Sequence, residues 1–115
     1  MLTIKTKRMV AQVRGTLWVL TKSQAGPATQ RVSRVAIKKI DSVLSNVPVD
    51  PVTMKRVLVT IKLALMDRAG CAHSAGCDAL ADCIGYIGYG LGKAIDDLAE
   101  YPACAECAEC AECTD

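Results

Sequence analysis

Residues 50–65 read DPVTMKRVLVTIKLAL, and this stretch decides the fold class. Asp50 followed by Pro51 is typical of a helix start, because the carboxylate can cap a free backbone N–H and proline suits the first turn. Apolar side chains then recur every three or four residues, at Met54, Val57, Leu58, Ile61 and Leu65. That period belongs to one helix face, so we predict a helix over 51–69 that ends near Gly70.

The segments on either side carry the same helical period. Apolar residues line one face of 5–23, of 27–45 and of 78–100, and the connections between these segments contain proline or glycine. In the segment 27–45 the predicted core face comprises Val32, Val35, Ala36, Ile40, Val43 and Leu44. We therefore expect an all-α fold, a small bundle of about four helices over 1–102, followed by a Cys-rich acidic tail over 103–115.

Two segments also fit the alternation of a β-strand. Residues 2–7, LTIKTK, alternate apolar and polar side chains, and residues 57–63 carry an apolar side chain at every second position. A strand is the competing prediction for each of them.

The composition bounds the size and the environment of the core. The chain has 115 residues, 51% of them hydrophobic, but no Phe, one Trp and three Tyr, so one modest aliphatic core is expected. No uncharged apolar run reaches about 18 residues, and Arg14 interrupts any signal-peptide core. We expect a cytoplasmic protein without a transmembrane helix, in which cysteines are thiols or ligands rather than disulfides.

Charge is divided unevenly along the chain. Residues 1–69 contain 13 Lys and Arg against three acids, whereas residues 70–115 contain one lysine against nine acids. The basic half predicts a surface for an acidic partner, and we expect a larger protein partner or a second copy of the chain. The candidate binding residues are Lys5, Lys7, Arg8, Arg14, Arg31, Arg34, Lys38, Lys39, Lys55, Arg56 and Lys62.

Nucleic acid is the alternative partner for these basic residues, because lysine and arginine neutralise phosphates. Trp18 is the only aromatic side chain in the basic half, which argues against stacking of single-stranded bases. The helix over 51–69 is too apolar to lie in a DNA groove. Non-specific phosphate binding is therefore the form that this alternative takes.

The tail carries a cysteine at every third position, at Cys104, Cys107, Cys110 and Cys113. C-x2-C pairs bind zinc, and C-x2-C-x2-C occurs around iron–sulfur clusters, although those runs continue differently. Zinc is thus the first candidate cofactor and an iron–sulfur cluster the second, which would make the chain a redox protein. A repeat of low complexity with only adventitious metal uptake is the preferred interpretation.

A second set of metal-ligand types is Cys71, His73, Cys77 and Cys83. Its spacing matches no familiar zinc module, and we expect small buried cysteines at a helix junction beside a partly exposed histidine. With one histidine in the chain and no phosphate-binding loop, we predict that the protein is not an enzyme.

Small residues recur along the last predicted helix at i, i+4, i+7 and i+11, namely Ala81, Gly85, Gly88 and Gly92. Glycine costs a helix about 1 kcal/mol relative to alanine. The stripe therefore predicts the close approach of another helix, from the same bundle or from a second copy.

Overall fold

The computed structural model describes residues 2–22 and 25–101. In these ranges it contains four helices and no strand: α1 Ile4–Lys22, α2 Pro27–Leu44, α3 Pro51–Ser74 and α4 Asp78–Asp97. The all-α prediction is confirmed, and both strand alternatives are wrong, because those segments lie mainly in α1 and wholly in α3. The boundary of the helical domain near 102 and the repeat tail lie outside the described residues.

The helices form a closed ring in which each packs against the next and α4 packs against α1. Within the described ranges, the diagonal pairs α1–α3 and α2–α4 make no close backbone approach. The start of α1 lies beside the end of α4, where Lys5 Nζ is 3.7 Å from Asp97 Oδ1. The chain is thus an up-and-down four-helix bundle with short connections.

The start of α3 follows the sequence prediction. Asp50 is extended, its carboxylate accepts a hydrogen bond from the backbone N–H of Val52 at 3.1 Å, and Pro51 occupies the first helical position. A hydrogen bond from the Thr53 hydroxyl and the backbone bonds lower the pKa of Asp50. The ionised side chain of Asp50 therefore caps α3, which packs against both α2 and α4.

The predicted end of α3 at Gly70 is wrong, because the helix continues to Ser74. The additional turn includes Ala72, which is buried. The stop comes at Gly76, whose φ of 79° is left-handed and whose N–H donates to the carbonyl of His73. Glycine tolerates both conformations, and Gly70 takes the helical one while Gly76 takes the left-handed one.

The core is aliphatic, as the composition predicts. Its largest fully buried hydrophobic side chains come from all four helices, namely Val10, Leu17, Leu20, Ile40, Met54, Leu58, Leu65, Ile84, Ile87 and Leu91. One α2 position differs from the prediction, since Val35 is 46% exposed and Ile37 is buried. The buried face of α2 includes Thr29 and Ser33, whose hydroxyl donates to the Thr29 carbonyl at 2.9 Å. The spacing of apolar residues could not predict this face of α2, because two of its buried positions, Thr29 and Ser33, are polar.

Two leucines of α3 test the position of the core. Leu65→Ala should lower the free energy of unfolding by about 2–5 kcal/mol, because Leu65 is completely buried and its removal leaves a cavity. Leu63→Ala is the matched control and should change it by less than about 0.5 kcal/mol, since Leu63 is 64% exposed. Urea denaturation of both variants measures the difference. Equal losses would mean that α3 is rotated from the position described.

Candidate functional site

The uneven charge along the chain becomes an uneven charge around the bundle. α1 carries five basic residues and no acid, α2 and α3 each carry four basic residues and one acid, and α4 carries one lysine and four aspartates. The formal net charges are therefore +5, +3, +3 and −3, with His73 neutral. Since α2 and α4 are diagonal in the ring, a basic side faces away from an acidic side.

Several of the predicted cations are engaged inside the bundle. Arg14 forms a two-point ion pair with Asp41, with Nε 2.6 Å from Oδ1 and Nη2 2.8 Å from Oδ2. Lys55 Nζ donates to the backbone carbonyl of Tyr101. Arg56 has its Nε buried without a hydrogen-bond partner in the described part of the chain. Arg14, Lys55 and Lys5 beside Asp97 thus join separate parts of the bundle, and Arg56 is partly buried, so these four cations do not form one shared surface.

The exposed face of α2 is different, because its cations make no ion pair or hydrogen bond within residues 2–22 and 25–101. Arg31, Arg34, Lys38 and Lys39 are all exposed. They lie at i, i+3, i+7 and i+8 and span about 12 Å of one helix face. The one acid of α2, Asp41, is held by Arg14 on the side toward α1. The α2 cations therefore present their charge to solvent.

Beside these cations runs a shallow apolar groove between α2 and α3. We call it the α2–α3 groove; it is lined by Arg31, Val32, Val35, Ala36, Lys39, Thr60, Ile61 and Ala64. Small side chains at Ala36 and Ala64 leave a space of about 190 Å³ between the two helices. Val35, displaced from the core, supplies an exposed apolar group at its edge. The groove thus joins aliphatic side chains to a cationic border, to which Arg31 and Lys39 of the predicted set contribute.

The remaining predicted cations are dispersed. Lys7 lies beside Leu44 and Val47 at the end of the bundle where α1 begins, and Arg8 is exposed on α1. Lys62 faces the groove between α3 and α4. The structure therefore brings together the four α2 cations and leaves the others on separate faces.

The cysteines of the helix junction are exposed, and the prediction that they are buried is wrong. Because α3 continues past Gly70, Cys71 lies on its outer surface and Cys77 in the turn before α4. His73 Nδ1 is 3.1 Å from Asp78 Oδ1, an ion pair in solvent when the imidazole is protonated. Among the described residues, no three His, Cys, Asp or Glu side chains are placed to hold a metal ion, so Cys71, His73, Cys77 and Cys83 do not form a zinc site. Cys104, Cys107, Cys110 and Cys113 lie outside the described residues.

Within residues 2–22 and 25–101, no other helix packs closely along the small-residue stripe, so the predicted contact inside the bundle is wrong for these ranges. A methyl group added at Gly85 or Gly88 would meet no atom within 4 Å, and at Gly92 it would meet Lys62 Nζ at 3.3 Å. The helix contact falls on Gly90, where an added methyl would lie 3.5 Å from Val13 Cγ2. Spacing identified a face of α4 but could not show that α1 crosses on the opposite flank. The stripe instead lines an open groove against α3, with Ala81 on the same flank.

Comparison with family models, curated proteins and solved structures gives no match for this chain. No helix in the described ranges combines the length and hydrophobicity needed to cross a bilayer. Charge, exposure and groove shape are therefore the properties that indicate a function.

The Arg14–Asp41 pair predicts a pH dependence of stability. Hydrogen bonding from Arg14 lowers the pKa of Asp41 below its ordinary value of 3.8. A carboxylate with a lowered pKa in the folded state stabilises above its unfolded pKa, and this contribution is lost as the pH falls through the folded pKa. The melting temperature of the wild type should therefore fall more between about pH 6 and pH 3 than that of Asp41→Asn.

Circular dichroism at the two pH values measures this difference. Asp67→Asn, which removes one exposed carboxylate without breaking an ion pair, is the control for lost charge. An unchanged pH dependence in Asp41→Asn would show that the pair does not form in solution.

The open space at Gly88 predicts a gain of stability. Gly88→Ala should raise the free energy of unfolding by up to about 1 kcal/mol, because alanine favours the helix and its methyl group meets no neighbour. The matched variant Gly76→Ala should lower it, since Gly76 has a φ of 79°. Chemical denaturation of dilute samples measures both changes. A loss of stability in Gly88→Ala would restore the prediction of close packing.

Proposed function

We propose that this chain is a non-enzymatic helical interaction protein that binds a larger acidic protein partner through the α2–α3 groove. The observation that supports the proposal is the row of four unpaired cations on α2, two of which, Arg31 and Lys39, line the groove beside the exposed Val35. Surface cations alone would be explained by solubility, but an apolar groove beside them indicates a binding surface.

The shape of the site favours a protein segment over a small molecule. Its space of about 190 Å³ is smaller than the roughly 300–1,000 Å³ of typical small-molecule sites, and it is open along its length. An amphipathic helix fits such a groove by laying apolar side chains on the floor. Its carboxylates, spaced one helical turn apart, would then meet the α2 cations on the border. The charges would orient the partner, and covering the exposed Val35 and the partly buried Val32 would supply the affinity.

Nucleic acid is the competing partner for the same cations. A phosphate backbone would use the charges but leave the aliphatic floor in water, since it has no apolar group to place there. The one exposed indole, Trp18, already has Lys22 Nζ over its ring at 4.5 Å from the centroid. An apolar substitution in the groove therefore distinguishes the two partners.

The proposal is tested by affinity purification from the native host with four forms of the chain. Lys39→Glu and Val35→Gln alter the charge and the apolar part of the groove lining, and both residues are exposed, so the fold should be retained. Lys62→Glu is the matched control, since it makes the same charge change in the groove between α3 and α4. One acidic protein should be retained by the wild type and by Lys62→Glu and be lost with the two groove variants.

Calorimetry with that purified protein then gives the affinity, which should fall at least about tenfold in each groove variant. Equal recovery with all four forms would contradict the use of this groove. The partner would instead be nucleic acid if the chain binds duplex DNA, if Val35→Gln does not weaken that binding, and if the logarithm of the binding constant falls with the logarithm of the salt concentration at a slope near −0.9 per phosphate contacted.

A further inference from the structure

The outward face of α4 carries a row of four exposed residues, which we call the α4 stripe: Asp82, Tyr86, Tyr89 and Lys93. They lie at i, i+4, i+7 and i+11, within one narrow arc of the helix. Tyr86 is 74% exposed and Tyr89 is 63% exposed, so two of the three tyrosines of the chain are largely in water. Large aromatic rings gathered on one exposed face indicate an interaction surface.

The order of these residues is self-complementary. Asp82 and Lys93 lie equally far from the midpoint between Ile87 and Gly88, and so do Tyr86 and Tyr89. If two α4 helices pack antiparallel about a two-fold axis at this midpoint, Asp82 of each copy faces Lys93 of the other. Tyr86 of each copy then faces Tyr89 of the other. One axis therefore pairs both charges and both rings of the stripe twice, and within the stripe no like charges are opposed. At the ends of α4 the same axis places Asp78 opposite Asp97, each of which already has a basic partner in its own copy.

Both charged residues are available for such pairing. Asp82 makes no ion pair or hydrogen bond in the described part of the chain, and Lys93 contacts only the ring of Tyr89, with Nζ 5.1 Å from its centroid. Of the other three aspartates of α4, Asp78 pairs with His73 and Asp97 with Lys5, whereas Asp96 lies off the stripe in the groove toward α3. The stripe thus keeps one free acid and one free base at matching distances.

The flank of the stripe toward α3 leaves room for the rings of a second copy. Gly85 and Gly88 have no atom within 4 Å of an added methyl position, and the groove beside them has a space of about 350 Å³. Met66 and Ala69 form its apolar wall on α3. Bare backbone at these positions allows a second helix to approach closely.

We propose that a second copy of this chain docks on the α4 stripe to form an antiparallel two-fold dimer. The dimer is held by two Tyr86–Tyr89 contacts and two Asp82–Lys93 ion pairs between copies. The four rings, at about 150–250 Å² each, supply at most about 600–1,000 Å², which is at or below the lower size limit of specific complexes, about 1,000 Å². The dimer is therefore reversible and depends on protein concentration. It uses a surface separate from the α2–α3 groove and goes beyond the proposed function.

Charge exchange on the stripe tests this dimer with the full chain in reducing buffer. Sedimentation equilibrium across a wide concentration range should show the wild type passing from monomer to dimer. In the dimer, Asp82→Lys and Lys93→Asp each place like charges opposite one another at two symmetric positions, so each should raise the dissociation constant at least about tenfold. The double variant Asp82→Lys/Lys93→Asp restores opposite charges and should return within about threefold of the wild type.

Two further variants separate the stripe from general effects. Asp67→Lys makes the same charge change on the exposed surface of α3 and should leave the dissociation constant unchanged. Tyr86→Ser removes an exposed ring and should weaken the dimer, while the helical circular dichroism of dilute samples stays that of the wild type. A wild type that remains monomeric at every concentration would overturn the proposal. So would single charge variants that dimerise like the wild type, or a double variant that does not recover.

Discussion

An aliphatic interior without aromatic rings is the constraint on which the rest of the bundle depends. With no phenylalanine in the chain, the space between four helices is filled by Leu, Ile, Val, Met and Ala. Such side chains reach a short distance, so each helix must commit one face fully to the centre to reach native packing density. The ring closes because α4 returns to α1 with Ile87 and Leu91 completely or almost completely buried. Every surface discussed above lies on a face that this packing leaves outside.

The same packing separates the two outward surfaces. α2 and α4 are diagonal in the ring, so the cationic border of the α2–α3 groove and the α4 stripe point in different directions. Arg14 and Asp41 join α1 to α2 and remove the only acid of α2 from the exposed face. Lys55 joins the start of α3 to the chain just after α4 through the Tyr101 carbonyl. Side chains that fasten the bundle thus decide which charges remain for a partner.

Much of the fold could be predicted from the sequence, because a local period specifies a helix. The Asp50–Pro51 start and four of the five apolar positions of residues 50–65 occupy the predicted roles, with Val57 partly buried. The end of α3 could not be predicted, because glycine fits both a helix interior and a helix end, and Gly70 lies inside the helix whereas Gly76 follows it. That Ile37 is buried and Val35 exposed likewise depends on how α2 packs against α1 and α3. The buried hydroxyl residues Thr29 and Ser33 on the same face give no hydrophobic pattern from which this could be predicted.

The candidate site was less accessible to prediction, because it depends on residues far apart in the chain. Composition indicated a basic, aliphatic surface but not which cations share a face or that Arg14 is neutralised by an acid 27 positions away. The spacing of the α4 glycines indicated that they share one helix face, but it could not indicate which helix, if any, packs against that face. A signal for the groove did exist in the i, i+3, i+7, i+8 spacing of the α2 cations, which marks one exposed helix face.

The placement of α2 and α4 on opposite sides has a consequence for encounter rates. A net charge of +2 gives this molecule little long-range attraction as a whole, yet a body positive on one side and negative on the other experiences a torque near any charged surface. An acidic surface turns the α2 side toward itself before contact, which shortens the search over orientations during diffusion. At physiological ionic strength this alignment acts over about 8 Å, so only the last few water layers of the approach are guided.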